Sequence, residues 1–161
     1  MMIYILQGGE LAADIADLMK SKLPEATVVS MDDSKTLKEI VSSSTPATLV
    51  IFLVQTVENG QPPDAAGGGI RFFKRKTHSE TMLEGKFQFT CLGLGDSNLL
   101  LDRQTTTAKD CNQVAQHLDS RLQALGGSRY YPLGLADERS GLTEVEPWVE
   151  GLVASLTRGK D

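Results

Sequence analysis

Cysteine, histidine, basic charge and long apolar runs are all scarce in this chain of 161 residues. It has two cysteines, Cys91 and Cys111, too few for a disulfide framework. A reducing compartment follows, and a cytoplasmic location is expected. Cys91 lies in an apolar stretch, where cysteine acts as a small hydrophobe. The two histidines, His78 and His117, lack ligand spacing, so no metal site is expected. The longest apolar run, Leu49 to Val54, is too short to span a bilayer. The start, Met1 to Leu6, has neither a basic region nor a small-residue cleavage site, so it is not a signal peptide. A soluble chain is expected. The net charge of −5 argues against nucleic-acid binding, whose footprint is usually basic. It suits plain solubility, or docking to a basic protein. No Gly-x-x-x-x-Gly-Lys-Ser/Thr loop occurs, which excludes a triphosphate-binding loop of that type.

Short apolar runs alternate with amphipathic stretches, the rhythm of a parallel sheet covered by helices. Met2–Leu6, Thr27–Met31, Leu49–Val54, Phe87–Leu94 and Tyr130–Leu133 are the predicted strands. The wholly apolar third strand should be central, and the second nearer an edge. Helical spacing of apolar residues follows the first strand (Leu11, Ile15, Leu18, Met19), the second (Leu37, Ile40, Val41) and the fourth (Val114, Leu118, Leu122, Leu125). Gly126-Gly127 should end that last helix. A long loop is predicted from Gln55 through Gly69, and a final helix from about Leu142 to Leu156. The basic run Arg71, Lys74, Arg75 and Lys76 has the character of a solvated helix face. One domain over residues 1–156 with a polar tail at 157–161 is expected. This order fits a flavodoxin-like three-layer α/β sandwich, with a five-stranded parallel sheet in the order 2-1-3-4-5. Ligands in such sheets bind beyond the carboxyl ends of the strands.

Cys91-Leu92-Gly93-Leu94-Gly95-Asp96-Ser97-Asn98 carries the strongest local signal. It is a buried strand breaking into a tight turn with exposed amides, suited to a flat, polar-edged ligand. Without a third glycine it is a poor dinucleotide fingerprint. The segment resembles the third flavin loop in the FMN domain of diflavin reductases, typically Leu-Gly-Leu-Gly-Asp-Ser. Further matches follow in order. Asp119 to Gly126 is similar to the family's Asp-x-Arg-Leu-x-x-Leu-Gly helix end. Ala136-Asp137, Gly141-Leu142 and Val145-Glu146-Pro147-Trp148 look most like the methionine synthase reductase branch. Thr56, Gly60 and Pro62-Pro63-Asp64 resemble the second FMN loop, Thr-x-Gly-x-Gly-x-Pro-Pro-Asp.

The resemblance implies an FMN site built from three loops and Asp137. The first is Gln7-Gly8-Gly9-Glu10, where the family has Ser/Thr-Gln-Thr-Gly-Thr. Here no Ser or Thr occurs between Met1 and Lys20, and Glu10 puts a carboxylate at a helix start. It gains there from the helix dipole and would repel a phosphate. The site is then either a backbone-only phosphate cradle or a self-capped helix. The second loop has Thr56, Val57, Glu58, Asn59 and Gly60. Val57 stands where many members place a stacking Tyr, and Glu58 replaces a glycine. Asn59 offers a local left-handed alternative. The third loop keeps Leu92, Gly93, Leu94, Gly95, Asp96, Ser97 and Asn98, but Leu99 replaces the family's flavin-covering Tyr. Leu99-Leu100-Leu101 is either a lid or the start of a core helix. Asp137 matches an acidic position near the flavin and equally suits a turn. Trp148 is expected to cover the sheet.

The implied function is one-electron transfer through bound FMN, between an FAD/NADPH reductase module and an acceptor redox protein. The acceptor would have a basic docking face, given Glu58, Asp64, Asp96 and Asp137 at the rim. At most the chain is the FMN half of such an oxidoreductase, with no catalytic residue of its own. The departures in all three loops point to FMN held weakly or lost. The alternative is a docking or structural module. A phospho-receiver is excluded, because Gln7 and Gln55-Thr56 stand where its carboxylates would be needed.

Overall fold

In the computed structural model, residues 2–56, 61–95, 112–137 and 141–158 are described. The chain runs β1 (Met2–Gly8), α1 (Glu10–Lys22), β2 (Thr27–Ser30), α2 (Ser34–Ser43), β3 (Thr48–Gln55), α3 (Asp64–Lys74), β4 (Gln88–Gly95), α4 (Gln113–Ala124), β5 (Ser128–Arg129), β6 (Gly134–Asp137) and α5 (Val145–Arg158). The strands are parallel in the order β2-β1-β3-β4-β5, with β6 also on β4. This is the flavodoxin-like 2-1-3-4-5 sheet, with its fifth position shared by two short pieces. β3 is central, and β2 lies at an edge, as the apolar content predicts.

Alternation along β3 sends successive side chains to opposite faces. Val50, Phe52 and Val54 enter one core with α2, α3 and α4. Leu49, Ile51 and Leu53 enter the other with α1 and α5. All six are fully buried. Burying one such side chain stabilises the fold by about 1.5–3 kcal/mol. The first core is centred on Phe52, whose ring meets Phe73 edge-on at 5.8 Å and Phe87 at 6.4 Å.

Three predicted elements shift. The loop from Gln55 to Gly69 is shorter than expected, because Gly67-Gly68-Gly69 lies within α3. A Cβ on Gly69 would stand 2.7 Å from the Met31 carbonyl oxygen, and one on Gly68 2.9 Å from that of Asp32. Glycine is helix-weakening, yet here it lets α3 press onto the end of β2. The fifth strand is not Tyr130–Leu133, which forms the break between β5 and β6. Pro132 has no N–H for a ladder, and side chains replace the missing bonds. Thr90 Oγ1 donates to the Tyr131 carbonyl at 2.9 Å, and Trp148 Nε1 to the Pro132 carbonyl at 3.0 Å. Trp148 also meets the Tyr131 ring edge-on at 5.6 Å, so it covers the sheet as expected. The last helix starts at Val145 and runs on to Arg158.

The Asp119–Gly126 motif is structural throughout. Buried Asp119 pairs with Arg129 of β5 through two hydrogen bonds. Arg121 donates to the carbonyls of Phe73 at 2.8 Å and Arg75 at 2.9 Å, tying α4 to the end of α3. Gly126, at φ +88°, donates to the Gln123 carbonyl, and Gly127 to that of Leu122. These two bonds form a Schellman ending, which glycine permits at positive φ.

Candidate functional site

The register brings the ends of four strands side by side. Gly8 of β1 lies beside Val54 of β3, Gln55 beside Leu94 of β4, and Gly95 beside Asp137 of β6. This is where a parallel α/β sheet places its ligand. Gln7, Gly8, Thr56, Leu92, Gly93, Leu94, Gly95 and Asp137 are therefore gathered at one end of the sheet, with Gly9 and Glu10 at the adjoining helix start. Val57, Glu58, Asn59 and Gly60, and Asp96, Ser97, Asn98 and Leu99, lie outside the described residues. So does the stretch Leu99-Leu100-Leu101.

Several of these residues have structural duties. A Cβ on Gly8 would sit 2.5 Å from the Cβ of Ala66, so Gly8 lets α3 approach β1. A Cβ on Gly93 would sit 2.7 Å from the Cβ of Ala115. Gly93 thus makes room for the start of α4. Thr56 is buried, and its Oγ1 accepts from the Val114 amide at 3.1 Å, capping α4. Asn112 Nδ2 donates to the Ala136 carbonyl at 2.9 Å, which fixes α4 against β6. Asp137 is buried at the end of β6, and its amide donates to Glu144 Oε1 at 3.0 Å.

The first loop differs from expectation in its cap. α1 begins at Glu10, which is exposed in the first turn, and its N-cap Gly9 supplies no side-chain bond. The cap comes from across the sheet. Gln55 Oε1 accepts from the amides of Leu11 at 2.8 Å and Ala12 at 3.3 Å. Gly9 sits at φ +139°, and a Cβ there would lie 2.0 Å from Gln55 Oε1. Sequence reasoning missed Gln55 because it lies 44 residues from Leu11. The available signal was a lone polar residue ending an apolar strand, beside a helix start with no capping side chain.

These contacts test the FMN that the resemblance implies. The strand ends present backbone where the flavin's polar edge would need it. The phosphate end does not fit this arrangement: no Ser or Thr occurs between Met1 and Lys20, and the first-turn amides of Leu11 and Ala12 already hold a side-chain oxygen. The cavity of about 340 Å³ between α3 and α4 lies to one side of the strand ends, over Ile70, Phe73 and Leu118. Burial pushes the Cys91 thiol well above its usual range, so it is inert toward this site.

Comparison with known proteins places the chain. The flavodoxin family profile matches residues 8–149. Methionine synthase reductase of Mus musculus is 37% identical over 113 residues, covering 68% of this chain and 14% of that protein. NADPH-dependent diflavin oxidoreductase 1 of Bos taurus is 37% identical over 107 residues, covering 65% of this chain and 16% of that protein. The chain thus spans a small part of the length of the curated relatives it matches. Oxidised flavodoxin 1 from Bacillus cereus shares the fold at a TM-score of 0.64 and 16% identity, covering 98% of each chain. Among the described residues no helix is long and apolar enough to cross a membrane. The chain belongs to the flavodoxin family, and its homologues are diflavin reductases with FMN domains.

Proposed function

We propose that this chain is an electron-transfer domain of the diflavin-reductase type that holds FMN weakly. It would take electrons from an FAD/NADPH module, fused or separate, and pass them to an acceptor redox protein. The supporting observation is the alignment of Gly8, Gln55, Gly95 and Asp137 at one end of the sheet, in a chain 37% identical to methionine synthase reductase over 113 residues. FMN, when bound, would supply the redox chemistry. The chain's part is to bind the ring, orient it and shape its electrostatics. Asp137 would disfavour an anionic reduced ring if its carboxylate stays charged.

A second reading is favoured by the Gln55 cap. A domain whose helix start is already satisfied needs no ligand there, which suits a docking module without flavin. One titration separates the two. FMN added to the purified protein should shift the visible flavin spectrum, with a dissociation constant near micromolar, about −8 kcal/mol. No spectral change at any practical concentration would leave the docking module as the function. Binding at about nanomolar strength would show that the altered loops cost little.

A further inference from the structure

We infer that the anion-binding end of α1 is filled by the chain's own Gln55, so that this domain selects flavin without reference to its phosphate. Three observations carry this. The first-turn amides of Leu11 and Ala12 are the donors a phosphate would need, and both point at Gln55 Oε1. Gly9 is shaped to this contact, since any side chain there would collide with the Gln55 amide. The chain also has a local alternative that it does not use at α1. α2 is capped in the common way by its own Asp33, whose Oδ1 accepts from the Thr36 amide at 3.1 Å. At α1 the same task falls to a residue of the central strand.

The amide oxygen of Gln55 carries only a partial negative charge and cannot leave the protein. A phosphate dianion must displace it and also approach the exposed carboxylate of Glu10. The gain from the helix start is then largely cancelled. The ring end, at the ends of β3, β4 and β6, is unaffected. The ligand class that follows is a flavin whose phosphate adds nothing, so riboflavin and FMN should bind alike.

This inference rests on the flavin reading above, and the test keeps the two apart. FMN and riboflavin are titrated separately into the wild type and into Gln55→Ala. The melting temperature of each protein is also followed in inorganic phosphate, with sodium chloride at equal ionic strength as control. In the wild type the two flavins should agree within about three-fold, and phosphate should not raise the melting temperature beyond chloride. In Gln55→Ala, FMN should gain about ten-fold over riboflavin, and phosphate should raise the melting temperature. A wild type that prefers FMN by about ten-fold or more overturns the inference. So does a Gln55→Ala protein on which phosphate has no effect. If neither flavin binds either protein, the flavin reading falls, and the phosphate melts still decide whether Gln55 fills the site. If Gln55→Ala fails to fold, Gln55→Ser, too short to reach both amides, takes its place in every arm.

Discussion

Gln55 and Thr56, adjacent at the end of the central strand, cap two helices on opposite faces of the sheet. Gln55 Oε1 accepts from α1, and Thr56 Oγ1 accepts from α4. The alternation of a β-strand makes this possible, because consecutive side chains point to opposite sides. One dipeptide therefore anchors both layers at the level where the ligand is expected.

The two caps should separate by function. Thr56→Ala leaves the buried Val114 amide without its acceptor and should cost about 1–2 kcal/mol of stability. Thr56→Ser keeps the hydroxyl and should cost much less. Urea denaturation measures both. Equal losses from Ala and Ser would mean that the methyl group, and not the hydrogen bond, does the stabilising.

Glu10 and Gln55 should act non-additively on FMN. With Gln55 in place, Glu10→Thr restores a hydroxyl beside amides that are already bonded, and FMN should tighten by less than about three-fold. On a Gln55→Ala background the same change removes a repulsion that phosphate then feels, and should tighten FMN by about ten-fold. Calorimetric titration of the four proteins gives the coupling directly. Additive effects would place Glu10 and Gln55 at independent sites.

The Asp119–Arg129 pair should respond unequally to removal of its partners. Asp119 is buried, whereas the Arg129 side chain keeps 35% of its exposure. Arg129→Ala strands a buried carboxylate and should cost about 1–3 kcal/mol. Asp119→Asn leaves an arginine that can reach water, and should cost less. Thermal melts at neutral pH rank the two, and the reverse order would contradict this assignment of burial.

The Asp33 cap carries a pH dependence of known sign. Its hydrogen bonds with Thr36, first from the hydroxyl and then from the amide, hold its carboxyl below the ordinary value of 3.8. A depressed folded value means the ionised form is the favoured one in the native state. The stabilisation is therefore complete above the unfolded value and is lost as pH falls through the folded one. Asp33→Ala should melt below the wild type at neutral pH, and the gap should close in strong acid. A gap that persists unchanged below about pH 2 would show that the carboxylate charge is irrelevant to the cap.

If electrons pass to a partner, the acidic rim should make association fall with salt, because exposed charges are screened within about 10 Å at 0.1 M. Of the rim carboxylates expected from the sequence, Asp64 is exposed at the start of α3, Asp137 is buried, and Glu58 and Asp96 lie outside the described residues. Stopped-flow mixing with a basic redox protein would measure it. An association rate that stays flat with ionic strength would remove charge from the docking.

Much of this architecture was legible in the sequence, for physical reasons that also explain the misses. The core of β3, Leu49–Val54, is short, wholly apolar and bounded by polar residues, and β4 is mostly apolar, so composition and length identify both. α3 was hidden because its glycines are spent on closeness to Met31 and Asp32, a tertiary requirement that outweighs helix propensity. The fifth strand was misplaced because Tyr130 and Tyr131 have strand character, while their ladder is interrupted by Pro132 and completed by Thr90 and Trp148 from elsewhere. Gln55 was missed for the same kind of reason. A cap supplied from another strand leaves no local pattern, whereas the Asp33 cap lies three residues from its partner.

The divided outer strand also bears on how the domain behaves in a crowded solution. An unbroken edge strand presents a row of open backbone groups on which a second molecule can extend the sheet. Here that edge consists of a two-residue piece and a four-residue piece, separated by a proline and roofed by Trp148. Among the described residues no continuous template is left along it. Replacing Pro132 with a residue that keeps its N–H would return one of the donors such a template needs, while Thr90 and Trp148 would still hold the carbonyls of the break.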